Sequence, residues 1–263
     1  MDKIDIDLDN KYFCYILGII WADGYLYSKH KTKNRIEITM IYDDLKNIEY
    51  IFDKVGIWKK YTRIRKNKNH KIQLNFRIIN KELYLFLKEN DYEIKSKTSP
   101  DKIISLIPKY NLKYFIHGLF DGDGCFYHRN KTKQCIFTSN YDQNWKFLSN
   151  ILENISCKYS IGKQTSKRGS RSFLRMSSKD ILKFGNYIYD DFFGLERKYK
   201  KYLDIKISYN KEKIIIGHNK REISIDKNLY PSITEAAIKI GISMNCLRYR
   251  LKSKNYNNYF YII

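Results

Sequence analysis

Ile16-Leu17-Gly18-Ile19-Ile20-Trp21-Ala22-Asp23-Gly24 and Ile116-His117-Gly118-Leu119-Phe120-Asp121-Gly122-Asp123-Gly124 are one pattern written twice, at an offset of 100 residues. Each is an apolar run that closes on Asp-Gly and carries small residues four apart, Gly18 and Ala22 in the first, Gly118 and Gly122 in the second. On a helix that spacing clears one stripe of side-chain bulk, so two such helices can pack backbone to backbone. The two aspartates would then meet at one end of the pair. Gly24 and Gly124 are expected to take a left-handed conformation that turns the chain into the next strand.

The likeness extends outward from the motif. Lys31-Thr32-Lys33 recurs as Lys131-Thr132-Lys133, and Tyr42-Asp43 as Tyr141-Asp142. In the first copy, alternation predicts strands over 25–28 and 35–40, a helix over 44–55, a basic hairpin over 61–78, and a helix over 82–88 capped by Asn80. The second copy predicts strands over 125–129 and 134–138, a helix over 145–154, a hairpin over 159–176, and a helix capped by Ser178. In Arg35-Ile36-Glu37-Ile38-Thr39-Met40 the apolar residues share one face and the polar ones the other, as a half-solvated antiparallel sheet requires. The fold class is therefore α+β, with two αββαββα repeats and antiparallel sheets. The expected boundaries are 1–100 and 101–206 for the repeats and 207–263 for a tail. In the tail, 211–222 reads as a basic linker or short extended piece. Ser232 and Glu235 then form a capping box, Gly241-Ile242 a turn, and Ser243 the cap of a second helix bearing Asn245, Arg248, Arg250 and Lys252, the layout of a helix-turn-helix.

Composition narrows the partners. Fifty Lys+Arg against 28 Asp+Glu leave a formal charge of +22, which a polyanion would neutralise. A hydrophobic share of 43% with 16% aromatic residues excludes a disordered basic tail. The uncharged apolar stretch from Tyr12 to Ala22 is too short to span a bilayer, and the acidic N-terminus lacks the order of a secretion signal. A cytosol, an organelle matrix or a phage-infected cell is the expected location. The five cysteines are scattered without a C-x-x-C pair, which points to reduced thiols; His117 and His128 have no partners at zinc-ligand spacing.

Asp23 and Asp123 would each sit at a helix C-terminus, where the macrodipole disfavours a carboxylate by about 0.3–1 kcal/mol. A divalent cation offsets that and can also touch a scissile phosphate. A calcium loop at Asp121-x-Asp123-Gly124 is excluded, because Cys125 fills the next ligand position and no Glu ends a twelve-residue loop. Paired carboxylates with magnesium, beneath sheets rich in Lys, Arg, Gln and Tyr, describe a phosphodiester hydrolase acting on duplex nucleic acid.

Gly18-Ile19-Ile20-Trp21-Ala22-Asp23-Gly24 and Gly118-Leu119-Phe120-Asp121-Gly122-Asp123-Gly124 resemble the two motifs of a single-chain LAGLIDADG homing endonuclease, over residues 10–205. The resemblance implies a pseudo-twofold fold with the motif helices at the interface, two saddle-shaped sheets on a long DNA site, and a double-strand break with short 3′ overhangs. It implies that Asp23 and Asp123 are the metal-binding catalytic acids, with Ala22 and Gly122 in the metal site and Mg2+ as cofactor. The family's basic residue near each centre maps to Lys97, with Lys95 as its rival, and to Lys198. Trp21 stands where the second motif has Asp121. A glutamine common near the end of the family's second strand has no counterpart, Met40 and Ser139 falling near it. The tail is similar to helix-turn-helix modules of intron-encoded nucleases, implying accessory DNA contacts.

The residues expected to face DNA are Lys29, Lys31, Lys33, Arg35, Arg63, Arg65, Lys66, Lys68, Lys71, Gln73 and Arg77 in the first repeat. In the second they are Arg129, Lys131, Lys133, Lys163, Gln164, Lys167, Arg168, Arg171 and Arg175. The expected partner is a double-stranded DNA target, bound by a monomer. The competing reading is an RNA maturase acting on intron RNA, or a non-cleaving DNA-binding protein of the same fold. A protein-splicing element is disfavoured, since no splice-junction residues accompany Met1 or Tyr261-Ile262-Ile263.

Overall fold

The computed structural model describes residues 4–27, 34–64, 71–95, 97–129, 132–166, 169–217, 222–253 and 255–261. The chain divides into two compact units, Met1–Leu203 and Asp204–Ile263.

In the first unit, α1 (Lys11–Asp23) begins where the Asn10 side chain accepts from the backbone N–H groups of Tyr12 and Phe13. It leads into β1 (Gly24–Tyr27), β2 (Arg35–Ile41), the short helices α2 (Tyr42–Asn47) and α3 (Glu49–Asp53), β3 (Lys59–Arg63), β4 (Gln73–Ile79) and α4 (Lys81–Glu89). A connecting helix, α5 (Asp101–Leu106), precedes the second copy: α6 (Leu112–Asp123), β5 (Gly124–Arg129), β6 (Thr132–Ser139), α7 (Lys146–Asn154), β7 (Ser160–Ser166), β8 (Gly169–Ser177) and α8 (Asp180–Ile188). Both sheets are antiparallel and share one order, β1-β2-β4-β3 and β5-β6-β8-β7. Ile36, Ile38, Leu74, Phe76 and Ile78 line the inner face of the first sheet, and Cys135, Phe137, Leu174 and Met176 that of the second.

The motif helices pack at backbone distance. A Cβ on Gly18 would lie 2.1 Å from the Phe115 carbonyl oxygen, and one on Gly118 would lie 2.0 Å from that of Tyr15. Only glycine fits at either position.

Several sequence expectations need correction. Gly24 and Gly124 are extended, at φ −71° and −90°, rather than left-handed. Their glycine requirement is one of space: a Cβ would strike the Ile20 carbonyl oxygen at 2.4 Å or the Phe120 ring at 2.0 Å. The helix expected over 44–55 is two helices hinged at Ile48, whose N–H bonds three residues back to the Leu45 carbonyl. That tighter turn lets Leu45, Ile48 and Ile51, three apart, all enter the core. Ser178 does not cap α8. It has φ 55°, incompatible with an extended N-cap, and Lys179 takes the position with no side-chain bond. Residues 211–217 are not a linker; they belong to α9 (Glu196–Gly217), which meets no Gly or Pro before its last residue.

The second unit pairs β9 (Ile223–Ile225) with β10 (Asn228–Tyr230) on one side and β11 (Tyr259–Tyr261) on the other, a three-stranded sheet that alternation over so few residues did not reveal. Across it lie α10 (Ile233–Ile240) and α11 (Met244–Lys252), around a core that includes Ile225, Ala236, Leu247 and Leu251. Ser232 accepts from the Glu235 N–H, Gly241 takes φ 77°, and Ser243 accepts from the Cys246 N–H.

A Gly118→Val substitution should lower the stability of the first unit by about 3 kcal/mol or more, because its branched side chain must enter the Tyr15 backbone. Urea denaturation of the purified protein measures this; an unchanged midpoint would mean that the helices are not in backbone contact.

Candidate functional site

Asp23 and Asp123 are the last residues of α1 and α6, both half-buried. The small-residue stripe brings their helix ends together: a Cβ on Gly122 would sit 2.1 Å from the Ala22 Cβ and 3.4 Å from Asp23 Oδ2. Both carboxylates act on the Tyr92 hydroxyl, which burial chiefly and the two acids in addition hold far above its usual range. The acids therefore share one neighbourhood. Burial raises the pKa of Asp23, and the charges of Lys95, Lys198 and Arg197 oppose that rise. An acid so placed ionises more readily once a cation is bound to it.

The carbonyls at the two helix ends are satisfied by different chemistry. At α1, the Tyr92 hydroxyl lies 2.8 Å from the Ile20 carbonyl oxygen and 2.7 Å from that of Gly24, sharing one proton between them. At α6, the buried Lys198 ammonium donates to the carbonyls of Phe120 (2.6 Å), Asp121 (2.7 Å) and Gly124 (2.6 Å). All three of its protons are used. Burial lowers the Lys198 pKa to about 8. Next to it, Arg197 Nε reaches both oxygens of Asp44 at 2.7 and 2.8 Å, tying the start of α9 to α2 of the first repeat.

Lys97 does not join this site. It is exposed and its amine pairs with Glu93. Lys95 is the first-repeat lysine whose charge acts on Asp23. Its backbone N–H donates to Tyr92 Oη at 3.2 Å, and it takes φ 37° to do so. Met40 and Ser139 are buried, so neither supplies an exposed polar group near the strand ends. Gln143, a few residues beyond β6, lines a small cavity with Asp123, Leu119, Phe137, Trp145 and Phe147. Loop length hid it, because periodicity cannot place a residue beyond a strand end. Among the described residues no three His, Cys, Asp or Glu side chains cluster as a metal site.

The sixth motif position does related work in both repeats. Trp21 Nε1 donates to the Thr98 carbonyl at 3.0 Å. Asp121, fully buried, accepts at Oδ2 from Tyr15 Oη (2.6 Å) and from the Leu195 N–H (2.9 Å). His117 Nε2 stands 3.4 Å from the same oxygen, and burial holds the imidazole pKa down at about 4.

Register sorts the basic residues by face. In the first sheet Arg35, Gln73 and Arg77 share the outward face with Arg63, which pairs with Gln73. In the second, Arg129, Gln164, Arg171 and Arg175 are outward. Two residues expected to face DNA do not. Lys133 is buried on the Cys135 and Phe137 side, and Lys163, paired with Ser172, lies on that same side of the sheet but exposed, with its amine 2.7 Å from Asp142. Lys71 is exposed just before β4. Lys29, Lys31, Lys33, Arg65, Lys66, Lys68, Lys131, Lys167 and Arg168 lie outside the described residues. In the second unit Asn245 and Lys252 are exposed, Arg248 donates to Asn245 Oδ1 at 3.4 Å, and Arg250 is turned back onto Tyr259 Oη at 3.0 Å. Tyr249, 65% exposed, shares the outer stripe of α11 and was not foreseen.

Residues 111–189 match the model of the LAGLIDADG-like domain. Residues 211–261 match the DNA-binding domain of intron-encoded endonuclease 1. The structure of the homing endonuclease I-WcaI bound to its DNA recognition sequence resembles the chain at TM-score 0.50 and 15% identity, over 73% of this chain and 85% of that one, which shows the LAGLIDADG endonuclease fold. I-DmoI in complex with DNA and Mn is similar at TM-score 0.47 and 21% identity, over 71% of this chain and 99% of that one. A curated DNA polymerase of Methanocaldococcus jannaschii is 27% identical over 205 residues, 68% of this chain; the match spans 11% of that polymerase's length. Among the described residues no helix is long and apolar enough to cross a membrane.

The buried imidazole makes stability pH-dependent. His117 stays neutral in the folded first unit down to pH about 4, whereas it protonates near 6.5 when unfolded. The unfolded state therefore binds more protons between those values. Its contribution is complete above pH 6.5 and is lost as pH falls toward 4, amounting to on the order of 3 kcal/mol. Urea midpoints measured from pH 7 to 4.5 should fall less steeply for His117→Gln than for the wild type; parallel slopes would contradict a neutral buried imidazole.

Proposed function

We propose that this protein is a site-specific DNA endonuclease of the homing type. It hydrolyses both strands of a long target with a divalent cation, magnesium by preference, and leaves short 3′ overhangs. The reading rests on one observation: two aspartates from separate repeats, brought to one place by helix packing, beside two sheets whose outward faces carry arginine and glutamine. Its bound neighbours are consistent with a DNA partner, and the domain matched by 211–261 with accessory contacts from residues 207–263. Residues 1–100 and 101–206 supply one sheet and one acid each.

Asp23 and Asp123 would hold the cation, with the backbone of Ala22 and Gly122 adjoining them. The bound cation would supply Lewis acidity at the scissile phosphate and lower the pKa of its water. The chain's own residues position and polarise. Lys198 keeps its proton at neutral pH and places a fixed positive charge at the end of α6, where phosphate charge grows during displacement. Lys95 serves the same end at Asp23 from a more solvated position. The outward arginines fix the duplex by phosphate and base contacts, so that the acids meet a defined bond.

Strand-resolved cleavage of a plasmid bearing the selected target tests this. Asp23→Asn and Asp123→Asn should each lower double-strand cleavage by about a thousandfold while binding changes little, and Lys95→Ala and Lys198→Met by about a hundredfold. Lys97→Ala should stay within about twofold, since its amine is committed to Glu93. Full cleavage by the double aspartate variant refutes the proposal. Tight binding without a metal-dependent cut favours a maturase on intron RNA or a non-cleaving regulator.

A further inference from the structure

A carboxylate sits in the middle of the arginine-bearing face. Glu37, on the outward side of β2, is 8% exposed. Its Oε1 accepts from Asn75 Nδ2 at 3.2 Å, and its Oε2 from Arg77 Nε at 3.2 Å with Arg77 Nη2 at 3.1 Å; Arg35 Nε lies 3.8 Å away. Both guanidinium groups lie over tyrosine rings, Arg35 3.5 Å from the Tyr27 centroid and Arg77 4.6 Å from that of Tyr61. A buried negative charge opposes the approach of a polyanion, so its position calls for a benefit in return. The benefit is orientation. With the Nε and Nη2 edge of Arg77 spent on Glu37, the remaining Nη1 and Nη2 edge is left as two parallel donors, the spacing that matches N7 and O6 of guanine in the major groove. Ring and carboxylate together remove the rotamer freedom that binding would otherwise cost.

The matching row of the second sheet keeps the arginine, Arg175 lying 4.9 Å from the Phe173 ring centroid, but has an aliphatic residue where the first sheet has the carboxylate. Gly24 pairs with Ile38 and Gly124 with Phe137, so Glu37 corresponds to Ile136; Glu37 pairs with Arg77 and Ile136 with Arg175. Phe173 follows on the same outward face, opposite Gly162, where a Cβ would stand 2.4 Å from the ring. Ile136 and Phe173 are half-buried on the outward face, with the Arg175 guanidinium over one face of the Phe173 ring, which leaves Ile136 and the rest of the Phe173 ring as the apolar part of that face. That part suits the C5-methyl of thymine.

Resting on the DNA-facing reading proposed above, the structure assigns different base chemistry to the two sheets. Glu37 is a positioning residue that presents Arg77 to a guanine in one half of the target, and Ile136 with Phe173 contacts a thymine methyl in the other half.

The full-length protein is first used to select its site from randomised duplexes; failure to select any site counts against the endonuclease reading rather than this one. On the selected site, 7-deazaguanine replaces each guanine in turn and uracil each thymine. One deazaguanine should weaken wild-type binding about tenfold and have little added effect on Arg77→Lys. Glu37→Gln should lower guanine preference at that same pair from about tenfold to under threefold, while affinity for unrelated DNA holds or rises. In the other half-site, one uracil should weaken the wild type severalfold but not Ile136→Ala or Phe173→Ala. The assignment is overturned if no deazaguanine position couples to Arg77, if Glu37→Gln weakens binding to every sequence equally, or if no uracil position couples to Ile136 or Phe173. Arg77→Lys keeps the charge and the fold, so the guanine arm stands even where Glu37→Gln proves unstable.

Discussion

The structure depends on α1 and α6 touching backbone to backbone. Tyr15 and Phe115 offer their carbonyl oxygens where the Cβ atoms of Gly118 and Gly18 would otherwise stand. No side chain separates the helices there, so the distance between their ends is set by van der Waals contact of main chains and cannot drift as longer side chains change rotamer. Everything at the site inherits that constraint. Asp23 and Asp123 terminate the two helices, and each first strand leaves directly from the glycine that follows, so the sheets are aimed by the same contact that brings the acids together.

Helix packing of this symmetry would produce two equal half-sites, yet the side chains make them unequal. A neutral hydroxyl satisfies the carbonyls at the end of α1, and an ammonium those at the end of α6. The ammonium stays charged in a buried place because three carbonyl oxygens and the negative end of α6 surround it. At the first end, the largest positive influence on Asp23 comes from exposed Lys95, ahead of Lys198 and Arg197. Water screens that charge more than it screens Lys198. A single chain can hold such a difference because each repeat mutates independently, which a symmetric homodimer cannot do.

How much was legible follows from what each signal depends on. The repeat, the motif helices and the strand pairs depend on local spacing, and Gly18, Asp23, Gly118 and Asp123 stand where that spacing puts them. Asn80, Ser232 and Ser243 cap the helices they were expected to cap, because a cap is decided within four residues. Lys133 and Lys163 were misread for a physical reason. Charge does not say which side of a sheet a residue takes; that side follows from pairing with residues far along the chain. Tyr92, Gln143 and the choice of Lys95 over Lys97 were hidden for the same reason: each is fixed by a contact to a helix end some 20 to 70 residues away.

The departure of the first motif from the second, Trp21 against Asp121, looks in sequence like decay of a polar position. In the fold it is a change of means. Trp21 donates from its indole to the Thr98 carbonyl, and Asp121 accepts at its carboxylate from the Leu195 N–H. Thr98 lies three residues past Lys95 and Leu195 three residues before Lys198. In each repeat the sixth motif residue thus anchors the segment that carries the lysine, from the same helix that carries the acid. Acid and lysine are held to one rigid element by bonds of opposite polarity. The buried side chain of Asp121 has Tyr15, His117 and the left-handed Gly194 around it, while the indole of Trp21 packs edge-on against Tyr92 and Phe115. The cluster around Asp121 thus spans both motif helices, Tyr15 coming from α1 and His117 and Asp121 from α6, and the neutral His117 within it is the group that acid would charge.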